Sequence, residues 1–264
     1  MKRKSLSVRK TNLNKISPHL SDLKILSLYN GFKKKLSKIN NIQNLACAVS
    51  GGPDSLALTF LLNCYSKEYN KNITFFHVDH GLRKNSRKEA YELKKKLSKF
   101  KIKINILYWK GQTPKKNVQS IARDIRYNLI FRELEKNKIS DVFFGHTYDD
   151  LLENFFIRLT RGSGLEGLIS FNSEVKEYKK VRIIRPLLNQ RKSNLIYLTQ
   201  KVFSFYLVDN FNNNDLFLRV RLRKLLDKLE EEGFNPKKYA LTLNNLSSAN
   251  NSIKLIVEKN ISNN

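Results

Sequence analysis

The sequence predicts a doubly wound α/β fold, a mostly parallel sheet with helices on both faces. Three observations carry that expectation. Short β-rich apolar runs alternate with longer stretches of helical periodicity. The stretches between runs are long enough for right-handed crossovers joining parallel strands. The first strand runs straight into a glycine pair that opens a helix, as at the carboxyl edge of open parallel sheets.

The elements follow in order. Residues 1 to about 20 lack an apolar period and are expected to be mobile. Ile25, Leu26, Leu28, Phe32, Leu36 and Ile39 recur at helical spacing and predict a helix over Ile25–Ile39. Leu45–Val49 reads as a buried strand, followed by a Gly turn and a helix through Leu62. Ile73–Val78 is a second strand, with a helix from about Ser86 to Phe100 after it. Ile104–Trp109 is a third, and the next helix runs from about Val118 to Lys136. Asp141–His146 is a fourth, leading into a helix near Asp150–Leu159. Val181–Leu188 is a fifth, before a helix over Lys192–Val202. After Phe205–Asn210 the pattern changes. Leu216–Leu229 predicts a basic amphipathic helix and Tyr239–Ile261 a last one, rich in Asn and Ser. The expected division is a basic extension with a helix (1–41), the α/β domain (42–225) and a short helical tail (226–264).

Charge narrows the partner. The 264 residues include 50 Lys+Arg against 23 Asp+Glu, a net charge of +27. Such an excess attracts polyanions, and nucleic-acid phosphates are the usual ones. The bland alternative is coding bias, since Lys, Asn, Ile and Phe are all abundant. Acidic lipid surfaces are the lesser alternative, and no apolar run approaches the about 18 residues of a membrane span. Two cysteines, Cys47 and Cys64, lack metal-ligand spacing and fit a reduced cytoplasmic protein without disulfides. The basic N-terminus lacks the apolar core of a signal peptide. It reads as an RNA-contacting arm, with an organellar transit peptide as the alternative. Oligomeric state is open, a homodimer included.

The sharpest motif is Ser50-Gly51-Gly52-Pro53-Asp54-Ser55, between the first strand and its helix. A glycine pair lets the backbone turn tightly against a phosphate, and the helix N-terminus presents N–H groups. Ser50 and Ser55 add hydroxyl donors. Asp54 would repel phosphate unless a cation intervenes, which makes it the expected Mg²⁺ contact. The run has neither the Lys of a Walker loop nor the third Gly of a dinucleotide fingerprint. A helix cap explains one of these side chains but not two glycines between two serines. The motif resembles the PP-loop of the ATP pyrophosphatase superfamily, which cleaves ATP between the α and β phosphates.

Further segments are similar to one family within it, the tRNA(Ile)-lysidine synthetases. His77-Val78-Asp79-His80-Gly81-Leu82-Arg83 ends the second strand, and Ser86 and Glu89 continue the match. The resemblance sets His77, Asp79 and His80 against the adenosine. A metal is the weaker reading of these two histidines, with no third ligand in the segment. Ala122-Arg123-Asp124-Ile125-Arg126-Tyr127 places Arg123, Arg126 and Tyr127 on one helical face, away from the apolar stripe. A solvated basic face is the alternative; the resemblance makes Arg123 catalytic and Arg126 substrate-binding. Asp150 and Glu153, three apart at a helix start, share a face. They either complement the helix dipole or hold and deprotonate a cationic amine. In the lysidine synthetase pattern this pair receives lysine. The Arg161-Gly162-Ser163-Gly164 turn is expected to supply backbone N–H groups and a fixed charge to the substrates. Asp209, Asn212, Arg219 and Arg223 align more loosely.

The resemblance covers roughly residues 42–225 and implies two steps, with ATP and Mg²⁺ as cofactors. The C2 oxygen of the wobble cytidine in a CAU-anticodon isoleucine tRNA attacks the α-phosphate, releasing pyrophosphate. The amine of free lysine then attacks C2 and expels AMP. The alternatives are a PP-loop tRNA thiolase, for which neither cysteine looks placed, and a basic RNA-binding module without catalysis.

Overall fold

A computed structural model describes residues 13, 15–39, 44–83, 85–112, 114, 118–172, 174–178, 180–207 and 218–262. Contacts divide the chain into two compact units that are not consecutive in sequence. One comprises Met1–Thr147 with Glu174–Leu207, the other Tyr148–Ser173 with Val208–Asn264.

The first unit holds one six-stranded sheet. Its strands are β1 (Asn44–Ala48), β2 (Asn72–Asp79), β3 (Ile104–Tyr108), β4 (Asp141–Phe143), β5 (Val175–Tyr178) and β6 (Val181–Ile184). They lie in the order β3-β2-β1-β4-β6-β5, all parallel except β5, which runs antiparallel to β6. The chain winds outward from β1 to β3, then returns to the other side of β1 with β4. That reversal is a topological switch point, where open α/β sheets leave a crevice beyond the strand ends.

Its longer helices among the described residues are α1 (Leu23–Leu36), α2 (Pro53–Tyr69), α3 (Ser86–Ser98), α4 (Val118–Lys136) and α7 (Lys192–Phe203). Alternation along β1 splits the core between the two faces. Leu45 and Cys47 pack with Leu56 and Leu61 of α2, Leu93 of α3 and Leu195 of α7. Ala46 and Ala48 pack with Ile130 and Leu134 of α4, the neighbouring positions being Phe76, Val142 and Ile183. Small alanines in the central strand let a helix approach closely on that face.

Three expectations are corrected. The mobile segment does not reach residue 20: Pro18–Ser21 forms a 3-10 turn that buries Leu20, and Asp22 then caps α1 by accepting N–H bonds from Lys24 and Ile25 at 2.8 and 3.1 Å. Residues 1–12 and 14 of the expected arm, and Asp209 and Asn212, lie outside the described residues. The fourth and fifth expected strands are shorter, ending at Phe143 and Ile184. Pro186, with no N–H to offer, follows closely on the second of these ends. The hairpin strand β5 was not expected, because its Val-Lys-Glu-Tyr run sits at an exposed sheet edge with little apolar signal.

The second unit is helical: α5 (Tyr148–Leu159), α6 (Leu165–Ile169), α8 (Leu218–Glu231) and α9 (Pro236–Ser262). Leu151, Leu152, Val220, Leu222, Leu226 and Leu243 are buried in it, beside a cluster of aromatic rings. Tyr239 of α9 meets the rings of Tyr148, Phe155 and Phe234 edge-on or tilted, with centroids 5.2–6.0 Å apart.

Candidate active site

The glycine pair does what its position predicts. Gly51 has φ +89°, a region that L side chains rarely adopt, and a Cβ there would stand 2.5 Å from Leu207 Cδ1. Leu207 N–H donates to Gly51 O at 2.8 Å, which pins the loop from below. Gly52 is the N-cap of α2 and Pro53 its first residue, where a missing N–H costs nothing. The turn is held by Ser55. Its Oγ accepts the N–H groups of Ser50 and Gly51, both at 3.1 Å, and donates to Gly52 O at 3.0 Å. The Ser50 hydroxyl donates to the same Oγ at 3.0 Å. The expectation that Ser55 extends a hydroxyl toward phosphate is thus corrected: its hydroxyl shapes the loop from inside.

Gly145, which follows β4 by two residues, brings that strand end against the loop. A Cβ on it would lie 2.9 Å from the Asp54 carbonyl oxygen. Asp54 stands in the first turn of α2, with Oδ2 3.4 Å from Lys192 Nζ at the start of α7. Thr199, two turns along α7, donates its hydroxyl to Pro53 O at 2.8 Å. Lys192 and Thr199 are residues that sequence reasoning missed; nothing near them in the chain marks them.

At the end of β2, His77 is buried and its Nδ1 lies 2.7 Å from Val49 O, beside the loop. Asp79 is buried and accepts the Gly81 N–H at 2.9 Å. His80 Nδ1 is buried without a hydrogen-bond partner. Burial, then the Arg126 charge, push the His80 pKa down to about 4, so its ring is neutral at pH 7. Burial also lowers the His77 pKa, opposed by the Val49 hydrogen bond and the Asp79 charge and aided by Arg126. The Arg126 charge is thus close enough to the end of β2 to act on both histidines. Arg123 lies 5.5 Å from the Tyr127 ring and acts on the buried Arg185 after β6, whose pKa burial lowers.

Among the described residues no three His, Cys, Asp or Glu side chains gather in a way that holds a metal. Asp54 alone fits Mg²⁺, because that ion takes one or two carboxylates and completes its shell with phosphate oxygens and water.

In the second unit, Glu153 is buried and receives both arms of a guanidinium. Arg223 Nε hydrogen-bonds Oε1, and Nη2 reaches Oε2 at 3.3 Å. Burial raises the Glu153 pKa; Arg223 opposes that shift, Asp150 adds to it and Arg219 opposes it. Asp150, Glu153, Arg219 and Arg223 thus form one electrostatic group, which sequence spacing predicted only for the two acids. Capping does not describe Glu153, since it faces α8 rather than its own helix terminus. The Arg161–Gly164 turn departs from expectation. Arg161 and Ser163 N–H groups donate to Arg158 O at 3.2 and 3.0 Å, and Gly162 N–H to Leu159 O at 3.0 Å. These three close the end of α5, with Gly162 at φ +67°, and are not presented to a ligand.

Residues 26–229 match the model of the PP-loop domain. The chain belongs to the PP-loop family. It is 33% identical over 228 residues to a tRNA(Ile)-lysidine synthase of Bradyrhizobium diazoefficiens, covering 86% of this chain and 63% of the relative. It is 39% identical over 186 residues to the tRNA(Ile)-lysidine synthase of Orientia tsutsugamushi, covering 70% of this chain and 42% of that one. The chain therefore spans about two thirds or less of the length of these relatives. Among solved structures, the U34-tRNA thiolase NcsA from Methanococcus maripaludis, with its [4Fe-4S] cluster, superposes with a TM-score of 0.70. It covers 84% of this chain and 78% of the thiolase at 22% identity, a likeness of fold alone. In this PP-loop chain both cysteines are buried, and burial pushes each thiol up to about 12. Both thiols stay protonated at neutral pH.

Proposed function

We propose that this PP-loop protein joins lysine to C2 of the wobble cytidine in a CAU-anticodon isoleucine tRNA, through an adenylated tRNA. The observation that carries the reading is Glu153, a buried carboxyl group one turn from Asp150, both of whose oxygens Arg223 meets, in a PP-loop chain. Cleaving ATP needs only the loop. A buried Glu153 beside a half-buried Asp150, with Arg223 fixed against it, suits a second, amine-bearing substrate.

In the first step the glycine loop and the α2 N-terminus hold the pyrophosphate while the cytidine C2 oxygen attacks the α-phosphate. Mg²⁺ at Asp54 would supply charge neutralisation on the leaving pyrophosphate. Neutral His80 offers the adenosine a hydrogen-bonding nitrogen without adding charge. Arg123 and Arg126 face the anionic substrates. In the second step Asp150 and Glu153 bind the ammonium and take its proton, so that the amine attacks C2 and AMP departs with its oxygen. The excess of Lys and Arg serves the tRNA backbone.

The thiolase alternative needs accessible thiols, and those of Cys47 and Cys64 are buried and protonated. We place the protein in the cytoplasm, consistent with reduced cysteines; no helix among the described residues is long and apolar enough to cross a membrane. The test incubates the protein with ATP, labelled lysine and total tRNA. Label should enter isoleucine tRNA only with ATP, with one AMP and one pyrophosphate released per lysine. Pyrophosphate release without lysine incorporation would give the site to another nucleophile.

A further inference from the structure

The geometry points to Lys192 as a phosphate-binding residue of the ATP site, supplying from another helix the ammonium that the PP-loop does not carry in its own run. This rests on the reading of residues 50–55 as the ATP loop, but not on the identity of the tRNA or of the amine.

The loop as folded keeps part of its donor set for itself and offers phosphate backbone N–H groups of the α2 N-terminus but no cationic side chain. The N–H groups of Ser50 and Gly51 both end on Ser55 Oγ, and Pro53 has no N–H. The Ser55 hydroxyl donates to Gly52 O. A triphosphate brings several negative charges to this turn, and Asp54 adds one more. After Pro53 the chain runs to Lys67, in the last turn of α2, before it offers a basic side chain. A Walker loop meets the same demand with its own lysine, which reaches the β and γ phosphates. Here the charge must come from elsewhere in the fold.

Lys192 answers that demand in place and in kind. Its Nζ lies 3.4 Å from Asp54 Oδ2, so it stands over the first turn of the loop helix. It opens α7, whose first-turn N–H groups and dipole add positive potential at the same point. The placement is rigid. Thr199 ties α7 to the loop through Pro53 O, and Leu195 and Leu198 of α7 are fully buried in the core that holds α2. The Lys192 side chain remains about a third exposed, open to an entering phosphate. With nucleotide present, Lys192 turns to a β-phosphate oxygen, and Asp54 is released to the cation side of the pyrophosphate.

The experiment measures equilibrium binding of Mg-ATP, Mg-pyrophosphate and AMP by calorimetry, without tRNA or lysine, to wild type, Lys192→Met and Lys192→Arg. Lys192→Met should weaken ATP and pyrophosphate by about tenfold or more, with AMP changed by less than about twofold. Lys192→Arg should recover most of the loss. Equal weakening of ATP and AMP by Lys192→Met would mean that the lysine only supports α7. Unchanged pyrophosphate binding would overturn the assignment outright. A wild-type protein that binds Mg-ATP but fails to incorporate lysine leaves this inference standing and removes only the reading of the amine.

Discussion

Replacing Arg223 by Met isolates the energetics of the buried carboxylate. Glu153 has a 4% exposed side chain, and Arg223, 33% exposed, meets both of its oxygens. Removing one member of a fully buried pair costs about 3–5 kcal/mol, because the other charge is stranded; solvent access to Arg223 lowers the expectation to about 2 kcal/mol near neutral pH. The dependence on pH is the sharper test. Burial already raises the Glu153 pKa, and Arg223 works against that rise, so its loss raises the carboxyl further. A carboxyl whose folded pKa lies above its unfolded value stabilises the fold fully below the unfolded value. It loses that contribution as pH climbs through the folded value. The variant should therefore lie near wild type at about pH 5 and fall progressively below it toward about pH 8. Urea unfolding of both proteins across that range measures the difference. A loss that is the same at both ends, or larger at the acid end, would refute the claim that Arg223 opposes the rise of the Glu153 pKa.

Three further outcomes are expected. Glu153→Gln should let adenylated tRNA form and accumulate while lysine converts it poorly, as followed by separate single-turnover measurements of AMP and of lysine incorporation; normal lysine incorporation would place the amine elsewhere. Asp54→Ala should abolish tRNA-dependent pyrophosphate release and leave tRNA affinity in filter binding nearly intact, and unchanged release would remove the role given to the loop carboxylate. Gly51→Ala should cost about 1–2 kcal/mol in thermal unfolding, from its positive φ and the 2.5 Å approach of Leu207, and should weaken ATP binding in the protein that still folds. A variant with wild-type stability and ATP affinity would show that the turn tolerates a side chain.

Much was determined by the sequence alone, for reasons that are local. The apolar run Leu45–Val49 and the long helical stretch Val118–Lys136 survive into the structure as a buried strand and a helix because each needs only its own run to declare its type. The phosphate loop was legible for the same reason: two glycines at a strand end have few other uses. The tertiary structure decided what depends on residues far apart in the chain. The edge strand Val175–Tyr178 exists because β6 offers it a hydrogen-bonding partner, not because its own residues favour it. Ser55 folds inward because two N–H groups converge on it, which no spacing rule predicts. Asp150 and Glu153 were visible as neighbours three positions apart, but the guanidinium that meets Glu153 stands 70 residues later in the sequence. Lys192, 138 positions beyond Asp54, is brought to it by a helix returning across the sheet. Pairing over such separations is set by how elements pack, and packing is written in the whole chain rather than in any segment of it.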